Sequence, residues 1–175
     1  MNHPEALLIE AFRDEFQALR SLAERAVAQL DDDQWRAPLD RDANSIELLM
    51  KHVGGNLRSR WTDALTTDGE KPDRHRDREF LPEPSDTRAG VEATWADGWS
   101  ALLATLDSLG PDDLSRPVRI RGERLPLARA LTRSLAHTAG HVHQIVLLAK
   151  HWRGPEWQTL SLPRASPGPS GAGPA

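Results

Sequence analysis

The sequence contains no cysteine, and this absence excludes several kinds of chemistry at once. Without cysteine the chain forms no disulfide, builds no zinc ribbon and has no protein thiol nucleophile. Histidine and carboxylate side chains are then the only strong ligands that it can offer a transition metal. The lack of disulfides also fits a reducing compartment, so we expect a cytoplasmic protein.

Long apolar runs are missing as well, since no stretch approaches the roughly 18 apolar residues needed to cross a bilayer. The first residues, MNHPEALLIEAFRDEF, lack the basic and apolar regions of a secretory signal. The net charge is −4, with acidic and basic residues interspersed, which predicts no binding to nucleic acid or to membranes. A small-molecule substrate is compatible with these features, and it is the partner that we expect.

What the sequence does contain is a helical pattern in four segments, with apolar residues recurring every three or four positions. The predicted helices cover residues 4–30, 44–65, 86–109 and 126–153. Glu47 forms a capping-box-like pair with Asn44 at the start of the second helix, and Gly154 and Pro155 end the fourth. Trp95 and Trp99, at helical spacing, are expected in the core. The pattern predicts an all-α protein.

The connections between these helices differ in length. Residues 66–86 are charged and aperiodic and predict a long loop, which at about 3.3 Å per residue can retrace a 30 Å helix. The second and third helices could therefore run parallel, as in bundles with a crossover. A small extended turn is expected around Gly122. We assign residues 1–162 to one bundle domain and residues 163–175, rich in proline, glycine, serine and alanine, to a disordered tail.

Two histidines of the fourth helix, His137 and His141, lie four residues apart. This spacing places both imidazoles on one helix face about 6 Å apart, which suits two ligands of one metal ion. His52, near the middle of the second helix, is a candidate third ligand, and Asn56 shares its face. The alternative is that the pair simply forms hydrogen bonds inside the bundle.

The neighbours of the histidine pair are polar although they flank a core stripe. Ser134 and Gln144 lie along the same face, and Gln144 could orient a ligand. The other four histidines are excluded as metal ligands. His3 lies at the terminus and His75 in the predicted loop, while His143 points to the opposite face of the helix and His151 lies too far along it.

Familiar catalytic motifs are missing around the candidate site. Thr138 follows His137 where metalloproteases carry glutamate, and neither a serine elbow nor a phosphate-binding glycine loop occurs. Arg58 and Arg60 are expected to be solvated or paired with loop acids, although an arginine beside an open metal site could also bind an anionic substrate.

Several sequence blocks together resemble a known family. A histidine in the second helix, a long crossover and the pattern H-x3-H-x2-Q-I resemble the DinB/YfiT-like superfamily of metalloenzymes. The runs KHVGGNLRSRWTDALTTDGEKPDRHRDREF, RIRGE, LAHTAGHVHQIVLLAKH and EWQTLSLPR resemble one branch of it without an assigned activity. The resemblance implies a four-helix bundle of up-down-down-up order, often a homodimer. It also implies a divalent metal held by His52, His137 and His141, with Gln144 matching a glutamine that follows them.

The same resemblance gives the functional expectation. Relatives in the superfamily include transferases of low-molecular-weight thiols and a mycothiol-dependent maleylpyruvate isomerase. We therefore expect a metal-dependent transferase that uses a small thiol, with zinc or nickel as the ion. The alternatives are a metal-dependent hydrolase and a non-catalytic, stress-associated metal-binding bundle. Gly140 and Val142 depart from the bulkier or basic residues that other branches carry beside the second histidine of this pair.

Overall fold

The computed structural model of the protein describes residues 4–161, and helices make up most of this part of the chain. The all-α prediction is confirmed. The helices are α1 (Pro4–Val27), α2 (Asp32–Arg36), α3 (Ile46–Trp61), α4 (Arg88–Ser108) and α5 (Leu127–Arg153). Short 3-10 turns cover Arg76–Phe80, Pro111–Ser115 and Gly154–Glu156, and a hairpin joins β1 (Pro117–Ile120) to β2 (Glu123–Pro126). The predicted tail, residues 163–175, lies outside the described residues.

Helix limits differ from the sequence prediction mainly around α3. Its N-cap is Ser45, not Asn44, because the Ser45 side chain accepts a hydrogen bond from the Leu48 N–H. The helix ends at Trp61, and Asp63 in the following turn has a positive φ of 50°. The sequence prediction missed α2, although its Asp31 cap and Gln34 form a complete capping box.

The long helices pack in two close pairs, α3 on α4 and α1 on α5. Gly54 of α3 faces Gly98 of α4, and the Thr105 hydroxyl of α4 donates to the Trp61 carbonyl at 2.9 Å. Contacts therefore occur in the same order along α3 and α4, and the two helices run in the same direction. The absence of side chains at both glycines lets the backbones touch.

The core between these pairs is dominated by large side chains. Trp99 is fully buried and Trp95 is 2% exposed, as expected from the sequence. Trp35, which the short helix α2 carries, is also fully buried and lies against the Met50 sulfur. The missed helix α2 therefore contributes one of the largest side chains of the core.

The crossover between α3 and α4 is more structured than a charged loop would suggest. Its 3-10 turn Arg76–Phe80 packs on α3 and places Glu79 in the interior, only 8% exposed. Asp68 ties the start of the crossover to the hairpin, accepting backbone N–H bonds from Arg121 and Gly122 at 2.8 Å each. The crossover is thus held in place by one contact with α3 and one with the hairpin.

None of the helices in residues 4–161 combines the length and the apolar character that crossing a bilayer requires.

Candidate metal centre

Three histidines from two helices meet between α3 and α5, where His52 is buried and the other two are half-buried. His52 projects from α3, while His137 and His141 project from α5 one turn apart. One ring nitrogen from each can be chosen so that all three lie within 4.8 Å of one another. The Nε2 atoms of His52 and His137 are 3.1 Å apart. The structure therefore brings together the three residues that the sequence singled out.

The donor set fits a divalent transition metal. Tetrahedral metal–nitrogen bonds of about 2.0–2.1 Å place neighbouring ligand nitrogens about 3.3 Å apart, close to the separation of His52 and His137. Burial, together with the neighbouring histidines, lowers the pKa of His137 to about 4. Burial also lowers the pKa of His141. Both imidazoles are therefore neutral at pH 7, which is the form that binds a metal.

A buried carboxylate fixes the orientation of His52. The His52 Nδ1–H donates to Glu79 Oε2 at 2.8 Å, which leaves the lone pair on Nε2, the atom facing His137. Arg74 donates two further hydrogen bonds of 2.8 Å to the two oxygens of Glu79. Burial raises the pKa of Glu79, but the bonds from Arg74 and His52 outweigh it and the net pKa is lowered. Glu79 is therefore an ionised partner of the histidine.

Local packing leaves room for this carboxylate. A Cβ added at Gly55 would lie 2.5 Å from Glu79 Oε1, so any other residue at this position would displace the carboxylate. The ring of Phe80 lies against His52 with centroids 4.4 Å apart. Glu79 and Phe80, both from the crossover, therefore pack against His52.

Glu79 and Arg74 are the site residues that the sequence analysis missed. Both lie in the aperiodic crossover, where no helical spacing relates a residue to a partner. For Glu79 the usable signal was the run DREF, residues 77–80, in which an acidic residue directly precedes an aromatic residue.

The remaining predicted residues surround the histidines in different ways. The amide oxygen of Gln144 accepts a hydrogen bond from His141 Nδ1 at 2.9 Å. The Ser134 hydroxyl accepts from the Trp61 indole N–H at 3.1 Å. Asn56 lines a pocket beside His137 but does not contact the histidine cluster through a hydrogen bond within residues 4–161.

The excluded histidines are separate from the cluster wherever the structure describes them. His143 bonds to the Ala139 carbonyl on an exposed face, His151 lies against Trp152, and His75 is exposed in the crossover. His3 lies outside the described residues. Arg60 is paired with the loop acid Glu70, as expected from the sequence.

A pocket of about 170 Å³ opens beside His137, between α3, α5 and the hairpin. Its walls combine apolar side chains with Asn56, Ser134 and arginines. Within residues 4–161 the histidine cluster includes no fourth histidine or carboxylate as a ligand. An ion held by the three histidines would therefore keep a position that a small molecule could reach.

Comparison with known proteins gives a family and no individual relative. A search of curated proteins found no match to this chain. A family model described as "Protein of unknown function (DUF1572)" matches residues 5–166, which is most of the 175 residues. The protein belongs to the DUF1572 family.

Proposed function

We propose that this protein binds one divalent metal ion, zinc or nickel, through His52, His137 and His141. The support is the convergence of three neutral imidazoles with the hydrogen bonds that Glu79 and Gln144 make to two of them. Metal-binding histidines usually donate their second N–H to such a partner. The proposal includes the DinB-like bundle of up-down-down-up order, for which the same-direction packing of α3 and α4 is the support.

We further propose that the site is catalytic. The observation that carries this step is a three-histidine cluster, without a fourth protein ligand among residues 4–161, beside a pocket with polar walls. Structural zinc sites are closed by four protein ligands, whereas catalytic sites keep an open position. A purely structural role would require neither the pocket nor the unfilled position.

The reaction that fits best is transfer of a low-molecular-weight thiol to an electrophile. A divalent ion at the three histidines supplies Lewis acidity that favours the thiolate form of a bound thiol. The chain has no cysteine, so the sulfur nucleophile must come from a small molecule. Glu79 and Gln144 hold the histidine rings in place, and Asn56 and Ser134 are placed to orient a substrate in the pocket. The bound thiol releases its proton to solvent, the thiolate sulfur forms a bond to the electrophilic carbon, and the leaving group departs with the electron pair of its former bond to that carbon.

Hydrolysis is the second candidate, and the surroundings of Glu79 count against it. A hydrolase needs a base to activate water, and Glu79 is the one carboxylate in contact with the histidine cluster in the described chain. Both of its oxygens already accept hydrogen bonds from Arg74, and one also accepts from His52. Its lowered pKa makes it a poor proton acceptor at neutral pH.

The homodimer and the cytoplasmic location that the sequence suggested stay predictions. Leu7 and Leu8 of α1 and Leu147 of α5 are exposed apolar side chains, which a second copy of the chain could cover.

The transferase proposal is tested by turnover of the metal-loaded protein with a panel of thiols. Bacillithiol, mycothiol, glutathione and coenzyme A are each supplied with a halo-aromatic acceptor, and halide release is measured. We expect turnover with at least one thiol, loss of it in His141→Ala, and retention in His143→Ala, the exposed histidine of the same helix. Absence of thiol-dependent turnover across the panel, with metal bound, would contradict the transferase proposal.

A further inference from the structure

The pocket beside His137 has an apolar floor of defined size. Trp61 of α3, Val118 of β1 and Ala130 of α5 line it, and each of them is at most 6% exposed. The volume, about 170 Å³, is close to that of an engineered cavity of roughly 150 Å³ that holds benzene. The floor therefore suits a body of about one six-membered ring. A thiol as large as glutathione is too big to fit inside it.

The polar part of the pocket is cationic. Three arginines and no carboxylate line it, although the whole chain has a net charge of −4. Arg60 donates to Glu70 Oε2 at 2.7 Å, but Arg121 donates to the same oxygen at 2.9 Å. One carboxylate thus serves two guanidinium groups, and a positive charge is left over at the wall.

The other two arginines are held even less by acids. Arg133 lies 3.7 Å from Glu123, and both side chains are more than half exposed, so their pairing is weak. Arg119 is exposed and forms no ion pair within 4 Å among residues 4–161, although Asp68 is near enough for Arg119 to help lower the pKa of that carboxyl. Arg119 and Arg133 are thus the least firmly paired arginines of the pocket lining, and guanidinium groups can donate paired hydrogen bonds to a planar anion.

We propose that this pocket binds a small organic acid with an aromatic or apolar body. The carboxylate lies against Arg119 and Arg133, and the body lies on Trp61, Val118 and Ala130, with one end towards His137. Its identification as the acceptor substrate rests on the proposed transferase function, whereas the binding itself does not. The pocket thereby selects an electrophile that carries a carboxylate on a body of about ring size.

Binding is measured by calorimetry and ligand-observed NMR with benzoate as the probe. Benzyl alcohol supplies the same ring without the charge, and inorganic phosphate supplies charge without the ring. We expect benzoate to bind at least about tenfold more tightly than either compound, because charge-assisted hydrogen bonds and ring burial each add to affinity. Equal binding of benzoate and benzyl alcohol, or of benzoate and phosphate, would overturn the proposed ligand class.

Matched variants locate the bound acid. Arg119→Gln and Arg133→Gln should each weaken benzoate binding about 5- to 10-fold, the loss of one charge-assisted contact. Arg129→Gln removes the same charge from an exposed residue of α5 outside the pocket and should change affinity less than twofold. If Arg129→Gln weakens binding as much as the other two, the effect is one of overall charge and the proposed site is wrong.

The two proposals fail separately in these measurements. Binding is measured on the metal-free protein and again after loading with zinc. If the protein binds benzoate but holds no zinc after loading, the acid site is supported and the proposed metal enzyme is contradicted. Thiol turnover with no benzoate binding would leave the enzyme standing and overturn the acid site.

Discussion

Replacing Glu79 with glutamine should destabilise the protein and weaken metal binding together. The Glu79 side chain is 10% exposed and that of Arg74 is 4% exposed, so the substitution leaves a buried guanidinium without its counter-charge. Breaking one partner of such a pair costs about 3–5 kcal/mol. We expect a loss of about 3 kcal/mol, because the crossover groove beside Arg74 admits some solvent. For a chain of this size that loss corresponds to a Tm roughly 6–12 °C lower.

Glu83→Gln is the matched control for this prediction. Arg78 donates two hydrogen bonds to Glu83 with the same bidentate geometry, but the Arg78 side chain is 64% exposed. An exposed pair contributes at most about 1 kcal/mol, so the same chemical change should have little effect there. Urea denaturation of the metal-free proteins measures the two free energies of unfolding.

The metal readout separates the positioning role of Glu79 from its contribution to stability. Loss of the carboxylate that orients His52 should lower zinc affinity about 10- to 100-fold in a chelator competition. Glu83→Gln should leave that affinity unchanged. Equal destabilisation by the two substitutions, together with unchanged zinc affinity in Glu79→Gln, would refute the reasoning.

Three further predictions concern packing, pH and one hydrogen bond. Gly98→Ala should destabilise the protein by about 1–3 kcal/mol in urea denaturation, because the added Cβ would overlap the Gly54 carbonyl. Gly140 is open to solvent, so Gly140→Ala should stabilise the protein by up to about 1 kcal/mol. A change of the same sign in both variants would contradict this account of the packing. In the metal-free protein the folded-state pKa of His137, about 4, lies below the unfolded value of about 6.5. The free energy of unfolding should therefore decrease as the pH falls from 6.5 to 4, by at most about 3 kcal/mol. The urea midpoint should fall less across that pH range in His137→Gln than in the wild-type protein. An equal fall in the two proteins would contradict the assignment of this pH dependence to His137. Trp61→Phe removes the hydrogen-bond donor to Ser134 and should lower the free energy of unfolding by about 1 kcal/mol in urea denaturation. Adding Ser134→Ala to that variant should not lower it further, because the bond is already lost. Fully additive losses of the two substitutions would contradict the hydrogen bond.

Regular spacing explains which parts of the site the sequence could predict. His137 and His141 share a helix face because four residues make about one turn, and that relation holds in any helix. His52 was placed beside them by its position near the middle of another helix and by the family resemblance. The same logic identified Gln144, three residues beyond His141, whose amide oxygen meets the His141 ring.

Glu79 and Arg74 could not be found in this way because they belong to the crossover. Their positions depend on how a 3-10 turn packs on α3, and on Gly55 leaving space for the carboxylate. Such long-range packing has no sequence period. The short helix α2 was missed for a different reason: its five residues are too few for an apolar repeat, although the capping box at Asp31 was visible.

The central claim is that His52, His137 and His141 hold one divalent metal ion. The most direct test is metal content by elemental analysis of protein prepared without a histidine tag under zinc- and nickel-replete conditions. We expect about one ion per chain, loss of it in an alanine variant of any of the three histidines, and full retention in His143→Ala. A wild-type protein without bound metal, or equal loss in His143→Ala, would contradict the account.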